Sequence, residues 1–137
     1  MKKYYKFLKL IIIVLILNLI WEFSHSFLYI DMSGIPKNIH LILASFTDVI
    51  IIAFIFLIVS LKNKNIRWIE KPNTIDYVII IILSLIISAF IELGALSTGR
   101  WDYTKLMPTV FGIGLSPLIQ LAVTSIISLI IIKVFKN

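Results

Sequence analysis

The sequence predicts an all-α integral membrane protein, a four-helix bundle forming one domain over residues 1–137. Three observations carry this. Sixty per cent of the residues are hydrophobic and only 15% charged, with a mean hydropathy of +1.04, whereas a soluble domain is about a quarter charged. Four apolar stretches each reach the ~20 residues a helix needs to cross a hydrocarbon core of ~30 Å. The lysines and arginines fall unevenly between them.

The spans run over about 7–28, 39–61, 75–96 and 109–135. Isoleucine dominates them, as in Ile11-Ile12-Ile13 and Ile79 to Ile82. It is a mediocre helix former in water, but in lipid an unpaired backbone group costs several kcal/mol, so helix prevails. The first span exceeds a signal-peptide core and no small-residue cleavage site follows, so it is read as retained. Lys2 and the absence of cysteine argue against lipid anchors. The lack of cysteine also excludes disulfides, thiolate zinc sites and cysteine nucleophiles.

Orientation follows from the basic residues. Lys2, Lys3, Lys6 and Lys9 precede the first span, Lys62, Lys64, Arg67 and Lys71 lie between spans two and three, and Lys133 and Lys136 end the chain. These are ten of the 13 Lys and Arg; Lys37, Arg100 and Lys105 are left for the other side. Both termini are therefore expected in the cytoplasm of a prokaryotic cell, with the chain crossing its plasma membrane four times. Tyr4, Tyr5, Trp68 and Tyr77 suit an inner aromatic belt, and Trp101 and Tyr103 the outer surface. The net charge of +6 is then a topology signal with some attraction to anionic headgroups. No basic helix or basic-aromatic pattern points to nucleic acid.

The segment before the fourth span has two readings. Ser116-Pro117 suits an N-cap followed by proline at the first helical position, leaving Pro108 to Leu115 apolar, non-helical and buried against protein. Alternatively a helix starts near Thr109 and kinks at Pro117.

Glu22, His25, Asp48 and Glu92 lie inside the spans, where charge is expensive and normally faces the bundle interior. At 1.5 Å per residue all three carboxylates, with Gln120, fall in one layer in the outer half of the bilayer. Helical phase agrees. Asn18, Glu22 and Ser26 share a stripe with His25, as do Ser84, Ser88 and Glu92, and Gln120, Thr124 and Ser128, while Ser45 lies three before Asp48. Serine, threonine, asparagine and glutamine at this spacing commonly bond helix to helix. The ionisable four need a further explanation, because an amide or hydroxyl suffices for that purpose.

Glu22, His25, Asp48 and Glu92 are accordingly the candidate catalytic residues. Asn18, His40, Arg100, Trp101, Tyr103 and Gln120 are the candidate substrate contacts. One Glu-x-x-His pair, Glu22 and His25, falls short of the two pairs and two further glutamates of a bundle di-metal site, so no metal or other cofactor is expected. Ser24 and Ser26 flank His25 but point away from it on a helix, and no phosphate-binding, dinucleotide or Gly-x-Ser-x-Gly motif occurs. Close carboxylates in a low-dielectric layer suit general acid–base work, one holding a proton while the other stays a base.

Trp21-Glu22 with Tyr29, and Thr98-Gly99-Arg100-Trp101-Asp102-Tyr103 with Met107-Pro108, resemble a family of small prokaryotic multi-pass membrane proteins, which implies the architecture and no particular activity. Glu92-Leu93-Gly94 with Thr98-Gly99, Tyr103 and Pro108 is similar to a segment of membrane carotenoid-biosynthesis proteins of the hydratase type. That similarity covers under a fifth of the chain and implies a membrane acid acting on a polyene. The expected activity is acid–base chemistry on a lipid or isoprenoid in an outward-facing pocket. A small ion- or proton-coupled transporter and an accessory subunit without catalysis are the alternatives. Membrane lipids are the expected partners, with a homo-oligomer or a larger membrane protein as further partners.

Overall fold

The computed structural model describes residues 1–135, so Lys136 lies outside them. Four long helices, α1 (Lys2–His25), α2 (Lys37–Asn63), α3 (Thr74–Thr98) and α4 (Leu115–Val134), make up most of the chain. Each is long and apolar enough to cross a membrane, by length and composition. They alternate in direction. Every helix packs on its sequence neighbours, and α1 closes the ring against α4.

The side-chain distribution is the reverse of a water-soluble bundle. Ile12, Ile16 and Ile20 of α1 and Phe90 of α3 are exposed, while Asn18, Ser45, Ser84 and Ser128 are fully buried. α3 buries Asp76, Ile80, Ser84, Ser88 and Glu92 at every fourth residue, one stripe of a 3.6-residue helix. An apolar core including Leu10, Val14, Ile52, Ile55, Phe56, Ile80 and Leu129 packs beside these buried polar stripes.

One end gathers the start of α1, the α2–α3 connection and the end of α4. Lys6 pairs with Glu70 at 3.2 Å, and Lys9 lies 5.5 Å over the Phe135 ring. Asp76 closes a capping box with Asn73 and accepts from Lys62 Nζ and Asn63 Nδ2, each at 2.8 Å. Trp68 departs from the expected belt position. It is 5% exposed, donates to Ser60 Oγ at 2.7 Å and packs edge-on against Phe56. A short 3-10 helix over Ile66–Glu70 folds the indole back under the bundle, so it serves the core.

The opposite end carries two small antiparallel ribbons that a purely helical reading misses. A 3-10 turn over Ser26–Leu28 extends α1 into β1 (Tyr29–Asp31), which pairs with β2 (Trp101–Tyr103), Tyr29 opposite Tyr103 and Asp31 opposite Trp101. Gly99, left-handed at φ 71°, ends α3 and turns the chain into β2. β3 (Thr109–Val110) and β4 (Ile113–Gly114) form a hairpin whose tip residues Phe111 and Gly112 both have positive φ, as a tight two-residue turn requires.

The fourth helix therefore starts at Leu115, not near 109, and 108–114 is non-helical as expected, but as a hairpin with Val110 and Phe111 exposed instead of buried against protein, because its backbone groups pair with each other. Gly114, not Ser116, is the N-cap. Pro117 falls in the first turn, where a missing N–H leaves no helical bond unmade. That frees the Ser116 hydroxyl for another partner.

Candidate functional site: a carboxylate pair and an aromatic cage in one cleft

α1, α2 and α4 converge on a buried amide. Gln120 Nε2 lies 2.8 Å from Glu22 Oε1 and 2.8 Å from Asp48 Oδ2, with Asn18 Oδ1 at 3.2 Å. An amide nitrogen has two hydrogens, so the carboxylates take both and Asn18 is left with the weaker contact. Asn18 is itself held by Val14 O at 2.9 Å and faces Thr124 Oγ1 at 3.4 Å. Glu22 and Asp48 thus sit within twice the Gln120 bond length of one another, though 26 positions apart in sequence.

The other oxygen of Glu22 meets His25 Nε2 at 3.3 Å, and His25 Nδ1 lies 2.7 Å from Ser116 Oγ. With Glu22 ionised, the carboxylate only accepts, so Nε2 must carry the ring proton. Nδ1 then accepts from the Ser116 hydroxyl, whose oxygen accepts from Trp21 Nε1 at 3.2 Å. A directed chain of hydrogen bonds runs from Trp21 through Ser116 and His25 to Glu22. His25 is 7% exposed. Ser116, read from sequence as a helix cap, is the partner that the helix-neighbour argument about Ser24 and Ser26 could not reveal.

Glu92 stands in a separate cage. Its Oε2 accepts from Tyr103 Oη at 2.6 Å and from Trp101 Nε1 at 3.3 Å, and Tyr29 Oη lies 3.4 Å from both oxygens. The ribbon pairing creates this cage by putting Tyr29 beside Tyr103 and close to Trp101, with ring centroids 5.6 and 6.0 Å apart. Trp101 and Tyr103 therefore turn inward to a carboxylate instead of marking the outer surface. Burial, then the Glu92 charge, raise the Tyr29 phenol far above its ordinary range. Burial and the bond to Glu92 do the same to Tyr103. Gly114 makes room for the cage: a Cβ there would stand 3.0 Å from Tyr103 Cζ and Met107 Sδ.

The two groups are linked but not fused. His25 touches Glu22 and packs edge-on against Tyr29, centroids 5.3 Å apart, and Tyr29 reaches Glu92. Both groups line one cleft of about 710 Å³, within the range of small-molecule sites. Its floor is Glu22, Asp48, Glu92 and Gln120, and Leu41, Ala44 and Ile91 form apolar wall between α2 and α3. Exposed Leu43 and Ile91 border that side.

The remaining expected contacts sit at the rim. His40 Nδ1 is 2.5 Å from Asp31 Oδ2. Burial works against ionising Asp31, but the bonds from His40 and Ser33 outweigh it and hold the carboxyl down to about 2. Arg100 lies 5.3 Å over the Trp101 ring. Among the described residues no group of three or more His, Asp or Glu is placed to hold a metal ion.

The fold and site together define a bundle of four membrane-length helices with a cleft lined by three carboxylates. Comparison with known protein families, curated proteins and solved structures finds no match to this chain. The two resemblances drawn from the sequence rest on the quoted residues alone.

Proposed function

We propose that this chain is a multi-pass protein of a prokaryotic plasma membrane, with both termini cytoplasmic, that performs acid–base chemistry on a lipid or isoprenoid in the cleft. The single observation carrying this is the pair Glu22 and Asp48, held 2.8 Å either side of one Gln120 nitrogen on the floor of the cleft. Two carboxylates so close in a dry layer favour one shared proton over two charges. The proton can pass to a substrate atom in the cleft and return from it. His25, bonded on one side to Glu22 and on the other to Ser116, supplies a route for that proton when substrate fills the cleft. Glu92, held by Tyr103, Trp101 and Tyr29, offers a further carboxyl group to the same cleft.

Ten basic residues on one side and both described chain ends at one end of the bundle support the orientation. A second reading, a proton-coupled transporter, draws on Ser84, Ser88 and Ser125, whose buried hydroxyls lack a hydrogen-bond partner. They lie on α3 and α4 below the carboxylates, where waters would satisfy them.

Gently purified protein should carry lipid in native mass spectra. Incubated in D2O with its extracted lipid, it should introduce deuterium or the elements of water into that lipid. Glu22→Gln should slow this by ~10²-fold, the usual scale for losing a general acid or base, while helix content is unchanged. A lipid recovered unaltered with wild-type protein, alongside proton flux into liposomes, would replace the enzyme reading with the transporter.

A further inference from the structure

We propose that the rim of the cleft binds the phosphate of a lipid phosphate, with Lys37 and Arg100 as its clamp and the first carbons of the lipid beside Glu22 and Asp48. This rests on the reading of the cleft as a lipid site and adds the headgroup to it.

Only three of the 13 Lys and Arg lie at this end of the bundle. Two of them, Lys37 and Arg100, line the cleft. They come from α2 and from the turn before β2, 63 positions apart, so their place on one cleft is a product of the fold. No carboxylate of the described residues lies within 4.0 Å of either. The only nearby acid on the rim, Asp31, is engaged by His40 and by the Ser33 N–H at 2.9 Å. The rim thus presents two uncompensated cations above an acidic floor.

Both cations are positioned. The Arg100 backbone is fixed at both ends, its N–H on Ala95 O at 3.0 Å and its carbonyl accepting from Met32 N at 3.1 Å. Its guanidinium stacks on Trp101, an arrangement that leaves the planar edge free for a bidentate oxyanion contact. Lys37 begins α2, whose N-cap is Pro36 and which has no side-chain cap.

The vertical order matches an amphiphile in a bilayer, with charge clamp at headgroup level, apolar wall beneath, and carboxylates beside the first carbons of the chain. The same phosphate chemistry is offered by free phosphate, so the test separates the two sources.

The full chain in detergent micelles would be titrated with farnesyl phosphate, farnesol and inorganic phosphate, following Trp fluorescence. Farnesyl phosphate should bind at least about tenfold tighter than farnesol, the scale of one charge-assisted contact. Lys37→Gln with Arg100→Gln should abolish that preference with helix content unchanged. Arg100→Lys alone should keep part of it. Equal binding of farnesol and farnesyl phosphate overturns the phosphate clamp and spares the lipid cleft. Inorganic phosphate competing as well as the ester overturns the lipid source. Failure of both farnesol and farnesyl phosphate to bind removes the lipid cleft and the clamp together.

Discussion

Replacing Gln120 with leucine tests the central cluster most directly. The change keeps side-chain volume nearly constant, so it removes donors without opening a large cavity. Gln120 is 4% exposed, and its nitrogen serves Glu22 and Asp48 at 2.8 Å each. Hydrogen bonds to charged groups are worth ~1.5–3 kcal/mol each in water-soluble proteins. Interhelical polar contacts in membranes average nearer ~0.6 kcal/mol, because the unfolded chain in lipid finds other partners. The larger figure should govern here. After the substitution the pair, with one proton between them, is left buried without the amide that served both, and an unmet buried acceptor costs more than the bond alone. We expect Gln120→Leu to destabilise the bundle by ~2–4 kcal/mol. Reversible SDS unfolding of the reconstituted protein, followed by helix content, measures this. Asp48→Asn should then rescue part of the loss, since it supplies an amide donor beside Glu22 in place of the one removed, giving a coupling of ~1–2 kcal/mol in the double-mutant cycle. A loss below ~0.6 kcal/mol, or strict additivity with Asp48→Asn, would refute the argument that one amide bridges the pair.

Three further outcomes follow from the same structure. A single cysteine at Lys64 should be shielded from impermeant thiol reagent in intact cells and one at Lys105 should react, and the native lack of cysteine keeps the background clean; the reverse pattern would invert the orientation. Because the folded-state values of the Tyr29 and Tyr103 phenols lie above the ordinary 10, their stabilising contribution is complete below about pH 10 and falls as pH rises further, when only the unfolded chain loses those protons. Alkaline titration of tyrosine absorbance should therefore show two of the five tyrosines ionising only on unfolding, and Tyr29→Phe, Tyr103→Phe protein should lose that step. Gly114→Ala should disturb the cage from a distance, since its Cβ meets the Tyr103 ring and Met107 at 3.0 Å; a thermal melt lowered by an amount like that of Tyr103→Phe, about 1 kcal/mol, would match, and an unchanged melt would not.

What the sequence determined by itself is one-dimensional: where a helix of bilayer length exists, which residues share its stripe, and how deep along it they lie. Those quantities follow from rise and periodicity, so the four helices and the common layer of Glu22, Asp48 and Gln120 were legible from spacing alone. The preference of lysine and arginine for one side is equally a property of the chain, and it gave the expected orientation. Two matters needed the tertiary structure. Whether two stripes face each other depends on helix rotation and crossing, set by packing across α1, α2 and α4, and this joined Glu22 to Asp48 through Gln120 and His25 to Ser116. The outer ribbons depend on pairing between segments about 70 residues apart, Tyr29 with Tyr103 and Asp31 with Trp101. Strands of two or three residues leave no periodic signal long enough to read. Trp101 and Tyr103 accordingly looked like surface anchors, and only the ribbon turned them onto Glu92. Trp68 likewise read as an interfacial residue until the 3-10 turn carried it beneath the bundle to Ser60. Burial of a side chain is a property of its neighbours in space, and near the ends of helices those neighbours come from elsewhere in the chain.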